Sequence, residues 1–371
     1  MNDELSRREL LVRCAYGVAA SLLLPVQGRV RPDEIERLIR ELMTSASVPG
    51  VSFALIKDAS VVWHQEFGVR DAESKAPVDE RTLFEMASIS KTVFAYAIMQ
   101  LVDRGVIALD TPLVKYTPDR ILAGDARLNA ITARHVLSHT GGLPNFGAPL
   151  AIHFTPGSKW EYSGEGYWYL QAVLTRLVGK VDTRVCRKYE NDLEVCASDI
   201  DAYMRANVLE PLGMASSAYV WNDTIARHKA RPHDASGKPV PIYKATATDA
   251  ARYAAAGGLH STALEYANFL IEVMSPRAPA KFRLSDASRR EMMRRQIKVD
   301  DKASWGLGWQ IPNVPSGLRI QHQGGQSGVQ TFAAAQVDRR SGYVILTNSD
   351  NGWKIFYDAR FVALMDRVLL A

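Results

Sequence analysis

The sequence predicts an α/β (α+β) protein: an antiparallel sheet flanked by terminal helices, with a mostly helical inserted lobe. Segments with strand character gather at both ends of the chain, near Val51 to Phe67 and again beyond Trp305. Between them, apolar residues recur at helical spacing and are separated by glycine and proline turns. The 371 residues, 47% hydrophobic and 23% charged, suffice for one large domain or two sub-domains with substantial cores. The net charge of +5 is spread out, with no basic stripe interleaved with aromatics, which argues against a nucleic-acid partner.

Residues 1–28 read as a targeting peptide. Arg7-Arg8 precedes a weakly apolar run from Cys14 to Leu24, and small residues reach Gly28. The pattern is that of a twin-arginine export signal. The run falls short of the roughly 20 residues a membrane span needs. A periplasmic or secreted location, with no stable membrane span after signal removal, is the expectation. A poorly ordered amphipathic helix is the alternative.

Pro32 to Met43 places Ile35, Leu38, Ile39 and Leu42 on one helical stripe. Val51 to Ile56 and Val61 to Phe67 alternate as two strands, joined in a hairpin around Lys57-Asp58-Ala59-Ser60. Phe94, Ile98, Leu101 and Val102 predict a helix starting at Ser88, with Gly105 closing it. Thr132 is positioned to cap a short helix that ends in the loop Ser138-His139-Thr140-Gly141-Gly142-Leu143-Pro144. His139 there could be a base, but holding the loop by hydrogen bonds is the favoured role.

A further helix is expected from about Tyr167 to Val178, with Gly179 as its cap and Tyr162 in the loop before it. Read alone, Tyr162 is a half-buried packing residue. Cys186 and Cys196 flank a charged stretch; in an exported chain they would form a disulfide, in a cytoplasmic one two free thiols. No metal-ligand pattern surrounds them.

After the turn at Glu210-Pro211-Leu212-Gly213-Met214, the stretch Gly257 to Thr262 forms a second glycine turn. Ser261 or Thr262 would cap a helix from Leu264 to Met274. Ser285 to Gln296 suggests another helix. Trp305 to Ile311, Leu318 to Gln323, Val329 to Val337 and Tyr343 to Thr347 read as four strands, and Trp353 to Leu370 as a last helix. Residues 29–82 plus 302–371 would then make a sheet lobe and 83–301 a helical lobe, together one catalytic domain with a cleft between lobes.

Ser88 and Lys91 are three apart, so on one helix face they can touch. A serine hydroxyl needs a base, and a lysine can serve if burial lowers its pKa. An N-cap serine beside a solvated lysine is the plain alternative. The ordered set Ser88-Ile89-Ser90-Lys91, Tyr162-Ser163 and His322-Gln323-Gly324 resembles the three motifs of the class C β-lactamase and penicillin-recognising serine hydrolase superfamily. The stretches at His139 to Pro144, Glu210 to Met214, Gly257 to Thr262 and Trp305 to Trp309 match as well, and together they cover nearly the whole chain after the signal.

The resemblance implies a β-lactamase/transpeptidase-like fold. It makes Ser88 the acylated nucleophile and Lys91 its proton acceptor. Tyr162 would assist proton transfer to the leaving group, and the backbone N–H groups of Ser88 and Gly325 would form an oxyanion hole. His322, Gln323 and Gly324 would line the substrate edge. Two positions depart from the pattern: Gly164 replaces the usual Asn, and His322 the usual Lys. Both weaken the case for antibiotic hydrolysis: Gly164 removes an amide that would hydrogen-bond the substrate's acylamino chain and Lys91, and a mostly neutral imidazole is a poorer partner for the β-lactam carboxylate.

The resulting expectation is an exported serine hydrolase acting on a small ester, amide or peptide substrate, with no metal or organic cofactor implied. A D,D-peptidase or weak β-lactamase is the second enzyme reading. A catalytically inactive cell-wall or protein-binding module is the non-enzyme one.

Overall fold

The computed structural model describes residues 31–117, 124–178, 196–249 and 251–371. The expected export signal, Gly179 and Cys186 lie outside them. The first helix, α1 (Pro32–Ala46), has proline in its first turn and buries Ile35, Ile39, Leu42 and Met43. Strands β1 (Gly50–Lys57) and β2 (Ser60–Gly68) form the expected hairpin. Asp58 and Ala59 both take positive φ there, the geometry whose twist suits a two-residue turn.

The short strand β3 (Phe84–Glu85) leads into a one-turn 3₁₀ segment, Ala87–Ile89, and then α2 (Ser90–Asp103). Every side chain from Ser90 to Leu101 is buried, so α2 is a central helix rather than a surface one. Helices α3 (Ala133–Leu137), α4 (Glu165–Val178) and α5 (Ala197–Met204) share its core, while α6 (Asp223–His228) packs Ile225 in a separate small cluster with Leu83 and Ala218. Thr132 accepts the His135 N–H as the cap of α3. Strand β4 (His260–Ser261) pairs with β3, and Thr262 caps α7 (Ala263–Met274). Helix α8 (Asp286–Met292) follows.

The remaining strands are β5 (Ile297–Lys298), β6 (Ala303–Trp305), β7 (Gln310–Pro312), β8 (Arg319–Gln326), β9 (Val329–Gln336) and β10 (Ser341–Thr347). The chain closes with α9 (Trp353–Phe356) and α10 (Ala359–Leu370). One eight-stranded sheet has the order β2-β1-β10-β9-β8-β7-β6-β5, antiparallel throughout. Strand β10 joins the two ends of the chain by lying between β1 and β9.

The strand alternation sorts the core. Val51, Phe53 and Leu55 face α1 and α10, packing with Ile39, Phe361 and Leu364. Ala54, Ile56, Val344 and Leu346 face the helical side, in one cluster with Leu270 of α7 and Val93 of α2. Burying each such large side chain stabilises the fold by about 1.5–3 kcal/mol.

Four expectations are corrected. Trp305 to Ile311 is not one strand, because Gly306 to Gly308 turn between β6 and β7, with Gly308 at φ +85°. Trp353 to Leu370 is not one helix, since Asp358 is extended (φ −61°, ψ 130°) and caps α10 through the Arg360 N–H. Ser88 sits in the 3₁₀ turn, and the α-helix proper begins at Ser90. The helix expected over Ser285 to Gln296 stops at Met292, and the chain turns to pair β5 with β6. No helix among the described residues is long and apolar enough to cross a membrane.

Candidate active site

Ser88 is presented on a tight turn. Ala87, just before it, has φ +45°, a left-handed conformation that costs a non-glycine residue about 1–3 kcal/mol. The surroundings hold the turn in place: Met86 N–H donates to Leu259 O, and Thr331 Oγ1 donates to Met86 O. Strand β8 passes directly against this turn at Gly324. A Cβ there would stand 2.6 Å from Met86 O and 3.0 Å from Ser88 N, so only glycine permits the approach.

Lys91, in the first turn of α2, points back at the serine. Its Nζ donates to Ser88 Oγ at 3.2 Å and to Ala256 O at 2.6 Å. The side chain is 2% exposed. Burial disfavours the ammonium form and brings the pKa down to about 7. The rings of Tyr162 and Tyr167 cover the nitrogen at 4.9 and 5.5 Å. Ser88, Lys91 and Tyr162, 74 positions apart in sequence between the first and the last, therefore meet in one place.

Behind Tyr162 lies His139, with ring centres 4.3 Å apart. His139 Nδ1 accepts the Ser163 N–H at 3.1 Å, so this imidazole fixes the loop that carries Tyr162, whereas the role favoured from the sequence is to hold its own loop, Ser138 to Pro144. Burial, with the nearby Lys91 and His322, holds His139 well below the usual histidine range, in its neutral form.

On β8, His322 and Gly324 face the nucleophile turn, while Gln323 faces the other way, where Tyr357 Oη donates to its Oε1 at 2.6 Å. Only the backbone of Gln323 is thus available to the cleft. His322 Nδ1–H donates to the Gln323 carbonyl at 2.6 Å, which leaves Nε2 as a lone-pair acceptor. That Nε2 is buried without a hydrogen-bond partner among the described residues, and burial and Lys91 lower the pKa to about 3. Gly325 is exposed at the strand tip, opposite Gln330 of β9. Strand β7 pairs with β8 only at Gln310↔Gln321, so the β8 edge beyond His322 borders the cleft rather than another strand.

Several participants escaped the sequence reading. Trp305 packs edge-on against both His139 and His322, at 4.9 and 5.4 Å. Ala256 supplies the carbonyl that holds Lys91. Beneath β3, Lys229 Nζ donates to Glu85 Oε1 and lies 3.2 Å from His260 Nε2; Gln326 donates to Glu85 Oε2. Glu85 stands three residues before Ser88, the one available hint of this network. Cys196 is buried at the start of α5, and its expected partner lies outside the described residues.

A hydroxyl beside a near-neutral lysine, a tyrosine over that lysine and a free strand edge make an arrangement suited to acyl transfer. A family model described as Beta-lactamase matches residues 35–366. Penicillin-binding protein 4* of Bacillus subtilis is 22% identical over 332 residues, 78% of this chain and 66% of that protein. Esterase EstB of Burkholderia gladioli is 26% identical over 242 residues, 56% of each. The chain spans about half to two thirds of the length of such curated relatives. Among solved structures, the octameric penicillin-binding protein homologue from Pyrococcus abyssi shares the fold, with TM-score 0.73 and 23% identity over 92% of this chain and 77% of that one.

Proposed function

The chain belongs to the beta-lactamase family, and from that premise we propose that it is an exported serine hydrolase that forms an acyl-enzyme on Ser88 and hydrolyses an ester or amide bond. The observation that carries this is Lys91 Nζ, buried, near neutrality and 3.2 Å from Ser88 Oγ. Neutral Lys91 takes the hydroxyl proton as Oγ attacks the substrate carbonyl carbon. The Ser88 and Gly325 N–H groups hold the resulting oxyanion. The proton returns through Lys91 and Tyr162 to the leaving oxygen or nitrogen as its bond to carbon breaks. Water then attacks the acyl-enzyme, giving up a proton to the same pair, and Ser88 regains its own.

Esters are favoured over β-lactams by two positions. His322 offers a buried acceptor where a carboxylate-bearing substrate would need a cation, and Gly164 offers no carboxamide. The esterase among the relatives supports this reading. The penicillin-binding relatives support the second one, a D,D-peptidase or weak β-lactamase. Export rests on Arg7-Arg8 and the apolar run that follows.

The deciding experiment compares p-nitrophenyl acetate with a chromogenic cephalosporin, each with Ser88→Ala as control. Ester turnover that the mutation abolishes, with little or no cephalosporin turnover, is the expected result. Ester turnover that survives Ser88→Ala overturns the proposal. Ser88-dependent cephalosporin turnover exceeding ester turnover replaces it with the second reading.

A further inference from the structure

Gly164 is not an open gap. A Cβ built there would meet Phe146 Cε2 at 2.5 Å and Asn145 Oδ1 at 2.8 Å. The space that a side chain at this position would take is already occupied by the neighbouring loop. That loop is tied to the Tyr162 segment on both sides of Gly164. Ser163 Oγ donates to Pro144 O at 3.0 Å, and Glu165 N–H donates to the same oxygen at 3.2 Å.

Phe146 also reaches the other wall. Its ring meets Tyr253 edge-on, centres 4.6 Å apart and planes at 84°. Tyr253 O accepts the Gly257 N–H in the turn whose Ala256 carbonyl holds Lys91. A Cβ on Gly257 would lie 3.7 Å from the Ala87 backbone, beside the nucleophile. The Phe146–Tyr253 contact therefore links the segment carrying Tyr162 to the turn anchoring Lys91. Tyr253 remains 47% exposed, so the pair is a rim and not part of the core.

The rim is apolar in effect. Arg252 lies over Phe146 and Trp168, but its guanidinium is 2.6 Å from the buried Glu165 carboxylate, which matches its charge. Among the described residues, no unbalanced cation is offered there to an acidic substrate group. If the leaving group lies with Tyr162 on the side of His322 and Trp305, the acyl chain retained on Ser88 extends the other way, toward Phe146.

Building on the acyl-enzyme reading, we propose that Phe146, seated against Gly164 and braced by Tyr253, is the specificity-determining wall of the cleft, restricting the acyl group to a short, unbranched, uncharged chain. The two residues set which acyl groups fit and take no part in the proton transfers.

The test measures kcat/KM for p-nitrophenyl hexanoate and p-nitrophenyl acetate in the wild type, Phe146→Ala and Tyr253→Ala. The hexanoate-to-acetate ratio should rise by about tenfold or more in Phe146→Ala and by less in Tyr253→Ala. Tyr253 is exposed, so its variant guards against a folding defect in the other. A ratio unchanged or lowered in both variants overturns the wall. If the wild type cleaves neither ester, the acyl-enzyme reading is the one in trouble. The wall is then decided by Ser88 labelling rates with methyl- and octyl-fluorophosphonates. A rise in the octyl-to-methyl ratio in Phe146→Ala supports it, and an unchanged ratio overturns it.

Discussion

Lys91 Nζ lies 3.2 Å from Ser88 Oγ, in a pocket where burial alone brings the lysine to a pKa of about 7. A neutral amine in this position can keep one N–H on Ala256 O and turn its lone pair to the hydroxyl. An ammonium cannot accept that proton. The rate constant kcat/KM for an ester should therefore climb with pH, with a midpoint near 7, and Lys91→Met should remove the midpoint and about 10²–10⁴-fold of the rate. Stability carries the same signature. The folded pKa lies below the ordinary 10.5, so between about 7 and 10.5 the unfolded chain holds the extra proton. Wild-type stability, measured against Lys91→Met by urea unfolding, should rise with pH across that window and be flat on either side. A difference that does not change with pH would mean Lys91 stays charged in the fold.

His139 gives a second prediction, because holding and proton transfer differ in their pH dependence. Its Nδ1 accepts the Ser163 N–H, and its ring backs Tyr162. It stays neutral across the working range. His139→Ala leaves the Ser163 N–H without its acceptor, at about 1–3 kcal/mol, and loosens Tyr162. The expected outcome is a lower melting temperature and a reduced kcat with the pH midpoint unmoved. His139→Asn, which can supply an acceptor oxygen, should recover much of both. A shifted midpoint in either variant would make His139 a proton-transfer group instead.

What the sequence revealed and what it concealed follow from the range of the interactions. Ser88 and Lys91 are three apart, and Thr132, Thr262 and Gly105 mark helix ends through local capping, so these were legible. The sheet built from both chain ends was legible too, because strand alternation is a local pattern. The break within Trp305 to Ile311 was not. Gly308 takes φ +85° and brings its backbone so close to α2 that a Cβ would stand 2.7 Å from that of Ala95. That demand comes from a helix more than two hundred positions earlier. Trp305 and Tyr167 likewise reach the site only through packing. The break at Asp358 had a local sign in an Asp placed to cap the next helix, but the apolar run around it masked that signal.

The buried pair of Glu85 and Lys229, 144 positions apart, supports the nucleophile from below and yields the last prediction. Their side chains are 10% and 2% exposed, so water screens neither. Burial pulls the Lys229 pKa down while Glu85 pulls it up. Removing one partner strands the other charge. Lys229→Met leaves the Glu85 carboxylate with Gln326 as its remaining side-chain donor among the described residues and should cost about 3–5 kcal/mol. Glu85→Gln in the same chain removes the stranded charge, so the double variant should be more stable than Lys229→Met alone. Urea unfolding of both singles and the double closes the cycle. Glu85 is in the strand that feeds Ser88, so fluorophosphonate labelling of Ser88 should slow in Lys229→Met and recover in the double variant. A double variant as unstable as the sum of the singles would show that the two charges do not depend on each other.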